Sequence, residues 1–203
     1  MTVRKLWSKT AIAVTAVLTV AAGPQPTTWN VDAAHTAVSF SVKHFFTPVK
    51  GQFEQFDVEL RYDRQNPENS SVLVKIPVAG LSTGNPKRDN HLKSGDFFEA
   101  DAHPFITFVS ETVKEVNDGE LLVRGPLTIK GQTRTVELPV KVLGVMDVAP
   151  DMRDMLGGVG QIASFQTRLS LDRRDFGVGV GSWAATMVVG SAVDIEIAVE
   201  ANR

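Results

Sequence analysis

Residues 88–104, RDNHLKSGDFFEADAHP, set His91 and His103 among the carboxylates Asp89, Asp96, Glu99 and Asp101. Such a set serves two chemistries. A histidine within hydrogen-bond reach of a carboxylate moves protons near neutral pH, and histidines at helical or alternating spacing bind metals. The metal reading is weak, because His91 and His103 lie across an expected helix end with no HxH or HxxxH spacing. His35 and His44 flank the first expected strand, and a lone histidine on an apolar face is ordinarily a satisfied core residue. Nucleophilic catalysis has no support either. The chain has no cysteine and no G-x-S-x-G elbow, and GVGVGS (177–182) lacks the lysine and following helix of a phosphate loop. It reads as a turn. The cations Lys87 and Arg88 stand at an expected helix start, where the dipole disfavours them. Either Asp89 pairs with them, or they join backbone N–H groups in a seat for an anion. No metal site, catalytic residue or cofactor is expected.

These groups must be positioned by strands, because the dominant signal is period-two alternation. Val38, Phe40 and Val42 share one face, as do Val72, Val74, Ile76 and Val78, and then Ile106 and Phe108. Leu121, Val123, Leu127 and Ile129 follow, then Val136, Leu138, Val140 and Val142. Phe165, Thr167, Leu169 and Leu171, and finally Val193, Ile195, Ile197 and Val199, complete the set. In GQFEQFDVELRY the apolar parity shifts between Phe53 and Phe56, as at a bulge. About eight strands result, with hairpin turns at Asn117-Asp118-Gly119 and Lys130-Gly131-Gln132. Asn85 as N-cap, Pro86 at the first helical position and Gly95 after the last turn give one short helix over 86–94. Leu92, Phe97 and Phe98 would plug one end of the β-structure, with Asp96, Glu99 and Asp101 as capping and turn residues. The sheet is antiparallel, since crossover helices are missing from the pattern. Alternation leaves a closed barrel and a solid sandwich equally open.

The chain has 203 residues and a net charge of −2, an ordinary globular balance that gives no footprint for nucleic acid. Its start differs. Arg4, Lys5 and Lys9 precede the apolar run AIAVTAVLTVAA, and small residues then mark a cleavage before Gly23. This is the pattern of a secretory signal over 1–22, too short for an ordinary membrane span. Residues 23–28 read as a flexible lead-in and 29–203 as one domain, which without cysteines relies on its core alone. Asn69-Ser70-Ser71 is a glycosylation sequon by pattern only.

Several segments occur together: WNVDAAHTAVSFSVKHF, VKGQFEQFDVEL, GLSTGNPKRDNHLKSGDFFEADAHPFITFVS, GPLTIKGQTRTVELPV and LDRRDFGVG…VDIEIAVEA. In this order they resemble the YceI-like family of bacterial secreted, polyisoprenoid-binding proteins over nearly the whole mature chain. The resemblance implies an all-β fold, an eight-stranded antiparallel lipocalin-like barrel with one short helix capping an end. It also implies a long apolar channel for an isoprenoid or similar amphiphile, a periplasmic or secreted location, and no established catalysis. The family's charged positions carry over as Arg88, Asp89, His91, Asp96, Arg174 and Asp175. Asp172 stands where the family often has Asn. The Met-rich, acidic segment 144–161 departs from the pattern and reads as a mouth loop.

The expected function is binding and carriage of a polyprenyl or quinone-type lipid, not catalysis. Phe40, Val42, Phe53, Val74, Phe108, Val123, Leu138, Phe165 and Ile195 are expected to line the tail channel, with His44, Lys87 and Arg88 near a polar head. The partner is that lipid, not nucleic acid; a transient membrane-surface encounter and a homodimer are left open. The alternative is an enzyme acting on a small apolar substrate through a His–carboxylate pair built on His44 or His91.

Overall fold

The computed structural model describes residues 26–185 and 187–203. The leader expected over 1–22 lies outside the described residues. Twelve strand segments alternate along the chain: β1 (Thr28–Val31), β2 (Ala37–His44), β3 (Thr47–Phe53), β4 (Asp57–Arg61), β5 (Ser71–Pro77), β6 (Leu81–Ser82), β7 (Phe105–Val109), β8 (Thr112–Asn117), β9 (Glu120–Ile129), β10 (Gln132–Asp147), β11 (Gln161–Asp172) and β12 (Val189–Asn202). Thr28, expected in the lead-in, already opens β1 opposite Arg61, and the Thr27 carbonyl accepts from the Tyr62 N–H.

Pairing reduces the twelve segments to eight staves. β1 and β2 run along the same edge of β12, interrupted by a 3-10 turn at Ala33–His35. β3 pairs with β2 and β6, while β4 pairs with β1 and β5. The parity shift expected after Phe53 is therefore a break that turns the strand. β5 and β6 are separated by a 3-10 turn at Val78–Gly80. β7 and β8 both lie on β9. β5 pairs with β7, and β9 through β12 pair in sequence order. All these pairings are antiparallel, and the eighth stave returns to the first. The sandwich alternative is thereby resolved into a closed up-and-down barrel, which leaves no long free edge.

Local chemistry sets the turns. Lys130 (φ 47°) and Gly131 (φ 70°) are both left-handed, the two-residue geometry whose twist matches a hairpin. Gly125 in β9 is required by close approach: a Cβ there would lie 1.9 Å from the Val109 carbonyl oxygen, where β7 breaks into β8. The two ends of the barrel differ. One, the rim, carries the β2–β3 turn, the β9–β10 turn, helix α1 (Pro86–Lys93) and the strap after β11. The other, the floor, carries the β8–β9 turn and the segment between β10 and β11. The Met-rich segment 144–161 is thus placed at the floor, not at the mouth where sequence reading put it. Residues 144–147 extend β10 against Gln161–Ser164, and the connection then turns back over the floor.

Candidate functional site

The inward face of the barrel has two halves. Toward the floor, large and very small side chains interlock: Trp29, Tyr62, Phe108, Val123 and Phe165 pack around Ala163 and Ala201, which are fully buried. Tyr62 meets Phe165 edge-on with ring centroids 5.0 Å apart, and the Trp29 indole N–H donates to the Tyr62 carbonyl at 3.1 Å. Toward the rim the inward residues are mainly Val, Leu and Ile, too short to meet across an eight-strand bore. They surround a cavity of about 730 Å³, within the size range of small-molecule sites. Phe40 and Val42 are consequently only half-buried despite pointing inward. The Phe40 ring occupies the space that a Cβ on Gly51 would fill, so this glycine lets an aromatic fold across the neighbouring strand.

Of the expected channel residues, Phe40, Val42, Phe53, Val74, Phe108, Leu138 and Ile195 line this cavity. Val123 and Phe165 do not; they belong to the packed floor. Alternation reports which way a side chain points, not how deep along the bore it sits. His44, Lys87 and Arg88, expected near a polar head, also line the cavity, at its rim.

The rim is organised by α1. The Asn85 side chain caps it by accepting from the Arg88 N–H at 3.1 Å, and Pro86 begins it. It ends at Lys93 without a left-handed Gly95; Glu99 (φ 52°) supplies the left-handed residue a few positions later. The expected pairing of Asp89 with Lys87 or Arg88 does not form. Buried Asp89 accepts from the Thr83 N–H at 2.9 Å and from the Thr83 hydroxyl. Arg88 donates through Nε to Thr83 Oγ1 at 2.7 Å and through Nη2 to the Thr83 carbonyl at 2.9 Å. Thr83, which sequence reading passed over, thus anchors both charged side chains. Lys87 has no ion-pair partner among the described residues.

His91 and Asp96 do come together. His91 Nε2 lies 2.9 Å from Asp96 Oδ2, and the Trp183 indole N–H donates to the same oxygen at 3.3 Å. The His91 hydrogen bond, followed by that of Trp183, holds the Asp96 carboxyl below the ordinary carboxylate range. His91 lines the cavity and is flanked edge-on by Phe97 and Trp183. Phe97 is buried with Phe176 and Val178, while Phe98 meets Phe53 edge-on. Both phenylalanines, with Leu92, line the rim end of the cavity.

The residue that organises the strap is one that sequence reading missed. Arg173 is only 5 % exposed and has no carboxylate partner among the described residues. Its Nε donates to the Gly190 carbonyl at 2.9 Å, and Nη1 donates to the carbonyls of Val178, at 2.9 Å, and Gly179. Nη2 donates to Trp183 O at 2.8 Å and Val189 O at 3.0 Å. Burial lowers its pKa, yet a guanidinium stays charged throughout the working range. The neighbouring motif residue Arg174 faces outward and grips Asp172 with its guanidinium. That grip, with a backbone N–H from Arg174, brings the Asp172 carboxyl down to about 2. The side-chain signal for Arg173 was present as RRD, but two adjacent arginines give no hint of which one turns inward.

Two further polar features stand apart. Thr167 points into the barrel between Phe165 and Leu169, and its buried hydroxyl has no hydrogen-bond partner among the described residues. On the outside, beside the β1–β2 break, His35 Nδ1 lies 2.9 Å from Asp32 and 3.7 Å from Glu200. The Asp32 hydrogen bond raises the His35 pKa, and His35 in turn lowers that of Asp32. These are the one set of metal-capable groups that comes together among the described residues, with His35 exposed, Asp32 and Glu200 half-buried, and all three already partnered with one another.

Comparison with known proteins agrees with this architecture. The YceI-like domain matches residues 29–201. A UPF0312 protein of Vibrio cholerae is 32 % identical over 193 residues, covering 94 % of this chain and 95 % of its own length. The crystal structure of BcnA from Burkholderia cenocepacia superposes with a TM-score of 0.75 at 29 % identity, covering 84 % of this chain and 99 % of BcnA. A polyisoprenoid binding domain from Saccharophagus degradans, implicated in plant cell wall breakdown, superposes with a TM-score of 0.59 over 86 % of this chain and 97 % of its own. At 13 % identity that likeness is one of fold alone.

Proposed function

This chain belongs to the YceI-like family, and from that premise we propose that it binds and carries an isoprenoid or similar amphiphilic lipid. The observation that carries the reading is the half-hollow barrel: one packed floor, one apolar cavity of about 730 Å³, and cations only at its rim. A tail enters the bore among Phe40, Val42, Phe53, Val74, Leu138 and Ile195, and stops against Phe108, behind which the floor is filled. A polar head stays at the rim near His44, Lys87 and Arg88. The carbonyl-saturated Arg173 guanidinium adds positive potential there without being free to move.

Burial of each CH₂ is worth about 0.8 kcal/mol relative to water, so a few prenyl units exceed the roughly 8 kcal/mol of a micromolar complex. Against a bilayer that term nearly cancels, because the tail is already dry there. Bore shape and head-group contacts therefore select the ligand, and a transient membrane encounter belongs to the mechanism. One chain closes the barrel, so carriage needs no second subunit. The leader read in residues 1–22 supports placing this activity in the periplasm or outside the cell.

The second reading, acid–base chemistry on a small apolar substrate, has one observation in its favour, the His91–Asp96 pair at 2.9 Å. That pair sits at the solvent-facing rim, and the cavity wall below it is apolar, which favours carriage. The test is mass spectrometry of solvent extracts from gently purified protein, with Ile195→Trp as a blocked control. Carriage predicts an isoprenoid or related lipid in the native extract and its loss in the variant. Equal lipid in both, or none in either together with no uptake of a soluble apolar probe, would overturn the reading.

A further inference from the structure

The tip of the β2–β3 hairpin is built against ordinary surface rules. Phe46 is 95 % exposed and Phe45 is 52 % exposed, two aromatics side by side at the apex of a turn. Phe45 moreover holds φ 52°, a left-handed conformation that costs a bulky side chain energy. The tip is tied to the strap, since the Phe45 N–H donates to the Val188 carbonyl at 2.9 Å, and the strap presents Met187 at 82 % exposure. Val180, also on the strap, is exposed as well. These apolar groups flank the opening of the cavity, whose lining includes His44 and Val189 from the bases of the same two elements.

Charge around the opening points the same way. The tip segment 43–50 carries Lys43 and Lys50 with no carboxylate, and the strap 177–190 carries no charged residue at all. Helix α1 adds Lys87, Arg88 and Lys93 against Asp89, which is buried on Thr83. Among the exposed rim carboxylates, Asp96 is held by His91 and Trp183 and Glu99 lies 3.9 Å from Lys130, while Asp101 and Asp175 lie in the segments after α1 and after β11. The tip, the strap and α1 together hold five basic residues, Lys43, Lys50, Lys87, Arg88 and Lys93, against one carboxylate, whereas the chain as a whole is net negative. The second exposed apolar patch, Met146, Met152 and Met155, lies at the floor amid Asp147, Asp151 and Asp154 and makes a contrast. Both patches are apolar; only the one at the mouth is basic.

We propose that the Phe45–Phe46 tip and the Met187 strap form a docking surface for an anionic lipid bilayer, inserting beside the cavity opening so that a lipid passes between bilayer and bore without crossing water. The proposal rests on the carriage reading for its purpose. Two or three apolar side chains inserted at the interface, with lysines over anionic head groups at about fivefold in affinity each, give reversible rather than permanent attachment. A carrier needs that reversibility in order to leave.

The test uses the full mature chain and vesicles of phosphatidylethanolamine with or without phosphatidylglycerol, read by co-sedimentation. In parallel, uptake of N-phenyl-1-naphthylamine from solution reports the cavity alone. The wild type should bind the phosphatidylglycerol vesicles and weaken as salt rises. Phe46→Ser with Met187→Ser should lower that binding about tenfold or more, and Lys50→Glu should lower it severalfold, both with probe uptake unchanged. Vesicle binding by the double variant equal to wild type would overturn the docking surface. So would vesicle binding that is indifferent to phosphatidylglycerol, or a concentration-dependent dimer lost in Phe46→Ser without any vesicle binding. Probe uptake without vesicle binding refutes docking and leaves carriage standing; vesicle binding without probe uptake, by protein whose extract holds no lipid, does the reverse.

Discussion

Replacing Arg173 separates the effect of its charge from that of its shape. A hydrogen bond that involves a charged group is worth about 1.5–3 kcal/mol net in ordinary settings, and the structure shows five from this guanidinium to carbonyls. Burying the guanidinium without a counter-ion costs several kcal/mol, which offsets much of that sum. The net loss for Arg173→Met should therefore be about 3 kcal/mol, with carbonyls of the strap and of β12 left unpaired. Lysine keeps the charge, and with it the desolvation cost, but offers at most three donors on one nitrogen. It cannot reach carbonyls spread from Val178 to Gly190. Arg173→Lys should thus be no more stable than Arg173→Met. Urea unfolding with the slope held in common reads both values, and hydrogen exchange at Val178 and Val189 shows whether the strap loosens first. If Arg173→Lys lies within about 0.5 kcal/mol of wild type, the guanidinium fork does not organise the strap and the reasoning fails.

Two further predictions concern stability. Thr167→Val should raise it by about 1 kcal/mol by removing a buried hydroxyl without a partner, read as a higher urea midpoint; an equal loss would mean that the hydroxyl is satisfied by something in solution. The Asp172 carboxyl is depressed from 3.8 to about 2, so its stabilising contribution is fully present above 3.8 and disappears as pH falls toward 2. Half-exposed Arg174 screens this contribution to about 1 kcal/mol. Asp172→Asn should flatten the stability profile over that window, and an unchanged slope would argue that the pair contributes nothing.

Much of the barrel was legible because period two is enforced by the pleat. Each strand set from Val38–Val42 to Val193–Val199 lies where alternation put it except for Val78, which falls in the 3-10 turn after β5, and the Lys130-Gly131 turn follows from residue type. The helix was readable from Asn85 and Pro86. What escaped was position along the axis. Val123 and Phe165 have the parity of channel residues but sit in the floor, where large side chains packed around Ala163 and Ala201 fill the bore. The Met-rich segment looked like a mouth loop for want of any signal saying which end it occupies. Arg173 was passed over because its partners are backbone carbonyls, which carry no side-chain signature.

The staves of this barrel are unlike on its two sides. β9 to β12 are single strands with at most a bulge, whereas each of the first four staves is snapped in two, at Ala33–His35, after Phe53, at Val78–Gly80 and at Ser110. A continuous ladder resists stretching, while a broken one yields at its joints. Admission of a bulkier guest should therefore flex the jointed N-terminal wall, rim half against floor half, with the C-terminal wall serving as a rigid spine. Solvent exchange should be fast at Gln55–Phe56 and Ala79–Gly80 and slow along β11, so that the molecule behaves less like a cup of fixed bore than like a purse with one stiff side.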